Sequence, residues 1–293
     1  MGHDHHEGQR VSRRAALAGI GSIGLGALLA ACGSPKSGTA TTTTGATAGI
    51  SPSTSEDLTA LFAGAGTCSL SPQATQGPYY FDADKIRSDI REDREGVKLR
   101  IAIRVQDSET CGPLADAVVE IWHCDAAGLY SGAESLSSGG GGTGGGPGGG
   151  GAPPSGAPTG APPSGGPGGS GGAGADLTPT DDKRYLRGAQ VTNGDGIVRF
   201  TTVWPGWYTG RTVHIHAMVH VGDDRTLTTQ LMTDESLNSK VFAQQPYSRH
   251  TNRDTFNDGD SIYKEPMLLK ITEDADGYLG AITFGVDPDK DGK

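Results

Sequence analysis

The run from Thr212 to Val221 constrains the fold more than any other feature of the chain, because its side chains alternate strictly in character. Every second residue is apolar, namely Val213, Ile215, Ala217, Val219 and Val221. Successive side chains of a strand point to opposite faces, so the pattern predicts a strand with one packed face. His214 and His216 fall together on the other face. This geometry makes the two imidazoles candidate metal ligands.

Other segments also carry strand signals, and little helical periodicity is present. These segments are Leu99 to Val105, Ala117 to Cys124, Ile197 to Val203, Leu227 to Met232 and Leu279 to Val286. Asn193 to Gly196 has turn composition and suits a hairpin loop. Glu56 to Phe62 is predicted to form one short helix. Several short strands at near-regular spacing predict an all-β fold, an antiparallel β-sandwich.

Residues 1–32 have the features of an export signal. Arg13 and Arg14 form a twin-arginine pair, an apolar run follows, and Leu29 to Cys32 has the pattern of a lipobox. We predict that Cys32 is the lipidated first residue of the mature protein. The exported protein is then either a lipoprotein on the outer face of the cytoplasmic membrane, attached only through Cys32, or a secreted protein. The alternative is a transmembrane anchor, but the apolar run is at or below the ~17 to 25 residues that a spanning helix needs.

Two segments have compositions that cannot form a packed core. Residues 33–56 are dominated by Ser, Thr, Gly and Ala, which predicts a flexible tether, and residues 137–175 contain only Gly, Pro, Ser, Ala and Thr. We expect the second segment to be a disordered insertion within one domain at 57–293, because candidate site residues lie on both sides of it. Loop closure costs only about 0.6 kcal/mol per doubling of loop length, so such an insertion is tolerable.

Three cysteines remain after Cys32, and export to an oxidising compartment favours one disulfide among them. Leu99 to Val105 and Val118 to Cys124 suggest two antiparallel strands joined by a turn that contains Cys111. Cys124 would then lie at the far end of its strand, beyond the roughly 7 Å that a disulfide allows between Cα atoms. A bridge between Cys111 and Cys124 is therefore disfavoured. Of the pairings that remain open, we choose Cys68 with Cys111 as our prediction. The formal net charge of −10, without a basic cluster, argues against nucleic acid as a partner.

Two tyrosines accompany the histidine pair as candidate ligands. Tyr130 lies in the segment Gly-Leu-Tyr-Ser, and Tyr208 ends the segment Pro-Gly-Trp-Tyr. A phenolate is a hard anionic oxygen donor that favours a cation such as Fe(III). Free phenols titrate near pH ~10, so the charge of the metal would have to hold them deprotonated.

Four motifs in order carry a resemblance to a known family. They are Gly77-Pro78-Tyr79-Tyr80, the segment from Ile121 to Ser131, Pro205-Gly206-Trp207-Tyr208, and Arg211-Thr212-Val213-His214-Ile215-His216. From about Cys68 to Val286, apart from the insertion, the chain resembles the intradiol ring-cleavage dioxygenases. The resemblance implies a transthyretin-like β-sandwich with non-haem Fe(III) bound by Tyr130, Tyr208, His214 and His216. It also implies that O2 cleaves a catechol-type aromatic diol between its two hydroxylated carbons to a muconate-type diacid.

The same resemblance implies roles for further residues. Tyr208 would be the labile axial ligand that also accepts a substrate proton, while Arg211 and Gln230 would lie beside the metal. Because Arg211 precedes His214 by three residues, a regular strand would point it to the opposite face, so a turn or bulge is required before the strand. Tyr79 and Tyr80 are expected to line the substrate pocket.

Two other functions are compatible with parts of the pattern. A non-catalytic transthyretin-like module could bind an aromatic ligand or a metal at the cell envelope. A zinc hydrolase could use the histidine pair, but it would normally add carboxylate ligands and has no reason to place two tyrosines at the metal. Colour and metal content of the purified protein separate these alternatives.

Overall fold

A computed structural model describes residues 38–41, 47–50, 61–63, 68–138 and 176–290. The predicted export signal with Cys32, most of the predicted tether and residues 139–175 of the predicted insertion lie outside the described residues. Within the part that is described, no helix has both the length and the apolar character needed to cross a membrane.

The described chain forms two four-stranded sheets and a separate pair of short strands. The strands are β1 (Gly38–Thr41), β2 (Thr47–Ile50), β3 (Lys98–Asp107), β4 (Val118–Trp122), β5 (Arg187–Val191), β6 (Ile197–Val203), β7 (His214–Val221), β8 (Asp224–Met232), β9 (Lys270–Asp274) and β10 (Gly277–Val286). The first sheet has the order β6-β3-β10-β9, and the second sheet has the order β5-β4-β7-β8. Within these two sheets every pair is antiparallel except β10 with β3, which is parallel.

The described residues on both sides of segment 139–175 contribute to both sheets. Strand β3 pairs with β6 and β10, and β4 pairs with β5 and β7, so each sheet contains a strand from before the segment and strands from after it. The prediction of an all-β sandwich is confirmed.

The two sheets pack face to face around one large apolar core. From β7 and the residue before it the core receives Val213, Ile215, Ala217 and Val219, all completely buried. These side chains meet residues of β3 such as Ile101 and Ile103. Burying each large aliphatic side chain contributes roughly 1.5–3 kcal/mol, so this face fixes the register of β7. The histidine face of β7 therefore points away from the core between the sheets.

Two expectations about strand connections are wrong. Asn193 to Gly196 forms a turn in which the Asn193 side chain accepts hydrogen bonds from the backbone of Asp195 and Ile197, but it joins β5 to β6 in opposite sheets and is not a hairpin. Strands β3 and β4 likewise lie in different sheets. Alternation shows that a strand has one packed face, but it does not specify which strand pairs with it.

The structure joins Cys68 and Cys111 in a disulfide, and Cys124 is a buried free thiol. The antiparallel pairing of β3 and β4 that we used to disfavour a bridge between Cys111 and Cys124 is wrong, but the outcome is as predicted, since Cys124 follows β4 of the second sheet and is not the partner of Cys111. The bridge ties the described segment that begins at Cys68 to the turn after β3.

Helices are few and short in the described residues. Apart from the helical residues Leu61 and Phe62, they are α1 (Glu134–Ser137), α2 (Glu235–Phe242) and single 3-10 turns at Tyr247–Arg249, Asn257–Gly259 and Glu265–Met267. The side chain of Asp234 caps α2 by accepting from the backbone of Ser236 and Leu237. Leu61 and Phe62, at the end of the predicted helix Glu56 to Phe62, are helical and pack on Ala102 and Ala281. The earlier residues of that predicted helix are not described.

Candidate metal centre

The two predicted histidines and two predicted tyrosines converge on the outer face of the second sheet. The Tyr208 hydroxyl lies 3.1 Å from His214 Nε2, and the Tyr130 hydroxyl lies 3.5 Å from the same nitrogen. His216 Nε2 is 3.2 Å from His214 Nε2. All four side chains are buried, with exposed fractions between 0% for Tyr130 and 8% for Tyr208. Segments from before and after residues 139–175 thus bring four donor atoms to one point.

The start of β7 explains how Arg211 and His214 reach the same site. Tyr208 and Arg211 form an isolated antiparallel bridge around a tight turn in which Gly210 has φ +82°. Regular pairing begins only at His214. The turn that Arg211 requires is therefore present, and it releases Arg211 from the strict alternation of the strand.

A loop between β4 and α1 presents Tyr130. The Asp125 carboxylate accepts from the backbone of Ala127 and Leu129, which closes the turn before Tyr130. Gly128 has φ +86°, and a Cβ there would lie only 2.5 Å from the Trp207 carbonyl oxygen. A glycine is required because the backbone before Tyr130 packs directly against the backbone before Tyr208. This contact sets the spacing of the two phenols.

The protonation states of the cluster follow from its burial. Burial and the neighbouring positive charge of Arg211 lower the pKa of His214 to about 3, and burial with His214 and Arg211 lowers the pKa of His216 well below its ordinary value. The neutral His214 carries its hydrogen on Nδ1, because Nδ1 lies 2.7 Å from the Thr212 carbonyl oxygen, which can only accept. Its Nε2 lone pair therefore points into the cluster.

Burial acts on the two phenols in the opposite sense. It raises the pKa of Tyr130 and of Tyr208 above the ordinary value for tyrosine. The neighbouring Tyr208 adds to the rise at Tyr130, whereas the positive charge of Arg211 opposes the rise at both phenols. A cation at the centre of the cluster is needed to hold these phenols ionised at neutral pH.

The donor set fits a metal ion. Ligand atoms about 2.0–2.2 Å from a common metal lie roughly 3 Å apart, which matches the separations among the imidazole nitrogens and phenol oxygens. The charge and hardness of two phenolates suit Fe(III). In the part of the chain that is described, no group of three or more His, Cys, Asp or Glu side chains could hold a metal ion. Histidine and tyrosine together form the candidate centre.

Arg211 and Gln230 lie side by side at this centre. Arg211 Nη2 donates to Gln230 Oε1 over 2.6 Å, and Arg211 Nε donates to Asp260 Oδ2 over 2.8 Å. Asp260 Oδ2 also accepts from the Thr212 backbone at 2.9 Å. The amide nitrogen of Gln230 faces the Thr75 carbonyl oxygen at 3.4 Å. Gln230, which pairs with His216 across β7 and β8, thus contacts Arg211 through its oxygen.

An aromatic wall surrounds the four donors. The Tyr79 ring packs on Tyr130 with centroids 4.8 Å apart. Tyr80 packs on Trp122, and its hydroxyl donates to Glu120 Oε2 at 2.9 Å. Tyr79 therefore contacts a donor residue directly, whereas Tyr80 contacts the centre through Trp122.

Two further histidines have other surroundings. His123 is buried with Nδ1 2.8 Å from the Cys124 carbonyl oxygen and Nε2 2.7 Å from the Thr202 hydroxyl, which suits a structural role. His220 lies further along the outer face of β7, with Nε2 3.8 Å from Glu120 Oε2. Neither contributes to the four-donor cluster.

Sequence reasoning missed two residues beside the centre, Asp260 and Arg187. Asp260 lies in a loop 49 residues after Arg211, and no motif in the sequence links the two. Arg187 is the first residue of β5 and is buried. Arginine is usually exposed, and nothing in the neighbouring sequence indicates that this one is buried.

Comparison with solved structures decides the family. An intradiol ring-cleavage dioxygenase from Tetranychus urticae is 30% identical over 75% of this chain and 96% of its own, with a TM-score of 0.60. The chain belongs to the intradiol ring-cleavage dioxygenases. A second dioxygenase crystal structure is also 30% identical, over 76% of this chain and 96% of its own, with a TM-score of 0.61. No family model and no curated protein matches this dioxygenase.

Proposed function

We propose that this dioxygenase binds non-haem Fe(III) through Tyr130, Tyr208, His214 and His216. The observation that carries the proposal is the convergence of two phenol oxygens and two imidazole nitrogens, with separations of 3.1 to 3.5 Å around His214 Nε2. The substrates are a catechol-type aromatic diol and O2. The ring of the diol is cleaved between its two hydroxylated carbons, and the product is a muconate-type diacid.

The protein residues have distinct roles in this proposal. When bound, Fe(III) supplies the positive charge that ionises the phenols and attracts the two oxygens of the diol. Tyr208 is the more exposed phenol, at 8% against 0% for Tyr130. It is therefore the phenol that exchanges a proton with the incoming diol. Tyr130 remains enclosed and keeps its position.

Arg211 provides a fixed positive charge beside the reacting ring. Its guanidinium is held by Asp260 on one side and Gln230 on the other, so its orientation is set before substrate binds. A charged group that needs no reorganisation stabilises negative charge as it develops on the ring. Gln230 positions Arg211 in this arrangement, since its amide nitrogen is directed to the Thr75 backbone.

The experiment that tests this function is oxygen uptake by iron-loaded protein with a panel of catechols, with the product identified by mass spectrometry. We expect a phenolate-to-Fe(III) absorption band in the visible range, a ring-opened diacid, and incorporation of both atoms of labelled O2. Tyr208→Phe should weaken the band while iron remains partly bound. An extradiol product, or iron-loaded protein without the band, would falsify the proposal.

We propose in addition that the protein is exported and anchored by lipid at Cys32. The support is the twin-arginine pair, the short apolar run and the lipobox, all within residues 1–32. Metabolic labelling with a fatty acid tests the anchor, with Cys32→Ser as the control that should lose the label. Label that persists in this variant would contradict the assignment.

A further inference from the structure

Arg187 is a buried cation close to the metal centre. Only 2% of the residue is exposed, and its four hydrogen bonds all go to neutral oxygens. Among the described residues, no carboxylate forms an ion pair with it, and Nη1 has no hydrogen-bond partner. Burial lowers the pKa of Arg187 to about 9, so the group is still charged at neutral pH.

The oxygens that Arg187 contacts belong to two segments that hold Tyr130. Nε and Nη2 donate to the Ser131 carbonyl oxygen at 3.2 and 2.9 Å, and Nε also donates to the Ser131 hydroxyl at 3.0 Å. Nη2 reaches the Tyr79 carbonyl oxygen at 2.8 Å. Ser131 directly follows Tyr130, and the Tyr79 ring packs on the Tyr130 ring. One guanidinium therefore fixes the backbone beside Tyr130 and the residue that supports its ring.

Two neighbours fix the guanidinium itself. It lies over the Phe81 ring, 4.1 Å from the centroid, and Arg187 pairs with Trp122 across β5 and β4. Trp122 in turn stacks on His216. The planar guanidinium is thus held in one orientation by the pairing of β5 with β4 and by the face of the Phe81 ring.

The energetic balance of this contact points to a positional role. Removing a charge from water without a counter-ion costs several kcal/mol, and an apolar side chain of similar volume would avoid that cost. An apolar residue, however, could not donate hydrogen bonds to three oxygens of two separate segments at once, as Arg187 does with Ser131 and Tyr79.

We propose that Arg187 is a positioning residue for Tyr130, which holds the Tyr130 loop and Tyr79 in the arrangement that presents the phenol to iron. This inference rests on the proposed function, because it concerns a ligand of the proposed iron centre. It predicts that loss of the Arg187 contacts disturbs the Tyr130 ligand more than it disturbs the fold.

The test compares Arg187→Met and Arg187→Lys, each made alone and together with Tyr208→Phe. In the Tyr208→Phe protein only Tyr130 can give a phenolate-to-Fe(III) band, so this background isolates the ligand concerned. Arg184→Met is the matched control, because Arg184 also lies over the Phe81 ring, at 4.8 Å, but donates to the carbonyl oxygens of Asp181 and Lys183. Band intensity per bound iron, iron dissociation constant and unfolding midpoint are measured for each protein.

We expect Arg187→Met to raise the iron dissociation constant about 10- to 100-fold, as loss of residues that orient metal ligands does. The Tyr130 band should shift or weaken, Arg187→Lys should restore part of it, and Arg184→Met should leave it unchanged. The proposal is overturned if the band and iron affinity do not change, or if Arg184→Met has the same effect. A lower unfolding midpoint with an unchanged Tyr130 band also overturns it, since that result describes a purely structural residue.

Two further results separate the possible failures. If iron-loaded protein with Arg187 intact shows no band, the proposed function fails, and this inference fails with it. If Arg187→Met does not fold, Ser131→Ala removes only the hydroxyl contact at 3.0 Å. A weaker Tyr130 band in Ser131→Ala supports the proposal, and an unchanged band with unchanged iron affinity overturns it.

Discussion

The indole ring of Trp122 lies parallel to the imidazole ring of His216, with centroids 5.0 Å apart and an interplanar angle of 6°. The two residues face each other as a pair across β4 and β7. His216 Nδ1 is buried and has no hydrogen-bond partner among the described residues, in contrast to His214 Nδ1, which faces the Thr212 carbonyl oxygen. The orientation of the His216 ring is therefore set by stacking, whereas that of His214 is set by a hydrogen bond.

Replacement of Trp122 should weaken iron binding as well as stability. Trp122→Ala is expected to lower the free energy of unfolding by about 3 to 5 kcal/mol, as for other large-to-small core changes. It should also raise the iron dissociation constant, because His216 loses the surface that orients it, and Trp122→Phe should retain most of the affinity. Denaturant unfolding and iron titration measure the two effects. The control is Trp204→Ala, because Trp204 lies in the core between the sheets. This variant should lower the free energy of unfolding by a similar amount and leave iron affinity unchanged. Equal iron affinities in Trp122→Ala and Trp204→Ala would contradict the role of Trp122 in orienting His216.

Gly77 allows the backbone to approach His216 closely. It has φ +72°, and a Cβ there would lie 2.9 Å from His216 Cε1. Gly77→Ala should therefore displace the imidazole and reduce iron binding, in addition to a backbone cost of about 1 kcal/mol. Gly222→Ala is the control, because Gly222 has φ +61° but no atom near the added Cβ. The prediction is that the unfolding free energy falls in both variants while iron affinity falls only in Gly77→Ala, and equal iron affinities would count against it.

Asp260 should affect catalysis through Arg211. Asp260→Asn keeps a hydrogen-bond acceptor for Thr212 but removes the charge that holds the Arg211 guanidinium. We expect kcat to fall about tenfold, within the range found for residues that orient a metal site, with iron binding retained. Steady-state oxygen uptake and iron content check this result. The control is Asp258→Asn, because Asp258 is an exposed residue of the same loop. This variant should have the kcat of the unsubstituted protein. A normal kcat in Asp260→Asn would show that Asp260 does not act on catalysis through Arg211.

His123 should make stability depend on pH. Burial lowers the pKa of His123 from its ordinary 6.5 to about 4. Between these values the unfolded chain binds a proton that the folded protein excludes, so the free energy of unfolding falls as pH decreases from 6.5 towards 4, by about 1.4 kcal/mol per pH unit. Above pH 6.5 both states are neutral and the contribution vanishes.

Urea unfolding of iron-free protein at pH 7, 6 and 5 tests this pH dependence. His123→Gln has no titrating group at this position, so its stability should decline less steeply than that of the unsubstituted protein. The difference between the two proteins should change with pH in the stated direction. Two parallel stability profiles would show that His123 does not carry the effect.

Part of the fold followed from local pattern. The strand Ile197–Val203 was predicted with its observed limits, and the alternation around His214 correctly separated the face that packs from the face that carries the histidines. The sequence did not identify which strands pair. Strands β3 and β4, close in sequence, lie in different sheets, while β3 and β10, far apart in sequence, lie side by side. Pairing depends on contacts between distant segments, which period-2 patterning does not encode.

The sequence alone determined the types of candidate donor, the shared face of His214 and His216, and the need for a turn at Arg211. Only the tertiary structure decided that Tyr130 and Tyr208 approach the same imidazole nitrogen, that Asp260 holds Arg211, and that Arg187 binds the backbone beside Tyr130. The physical reason is that a side chain's face is set by its immediate neighbours along a strand, whereas its distance to another donor is set by loop packing. The close backbone contact of Gly128 with Trp207 joins segments on either side of residues 139–175, and no local pattern records that contact.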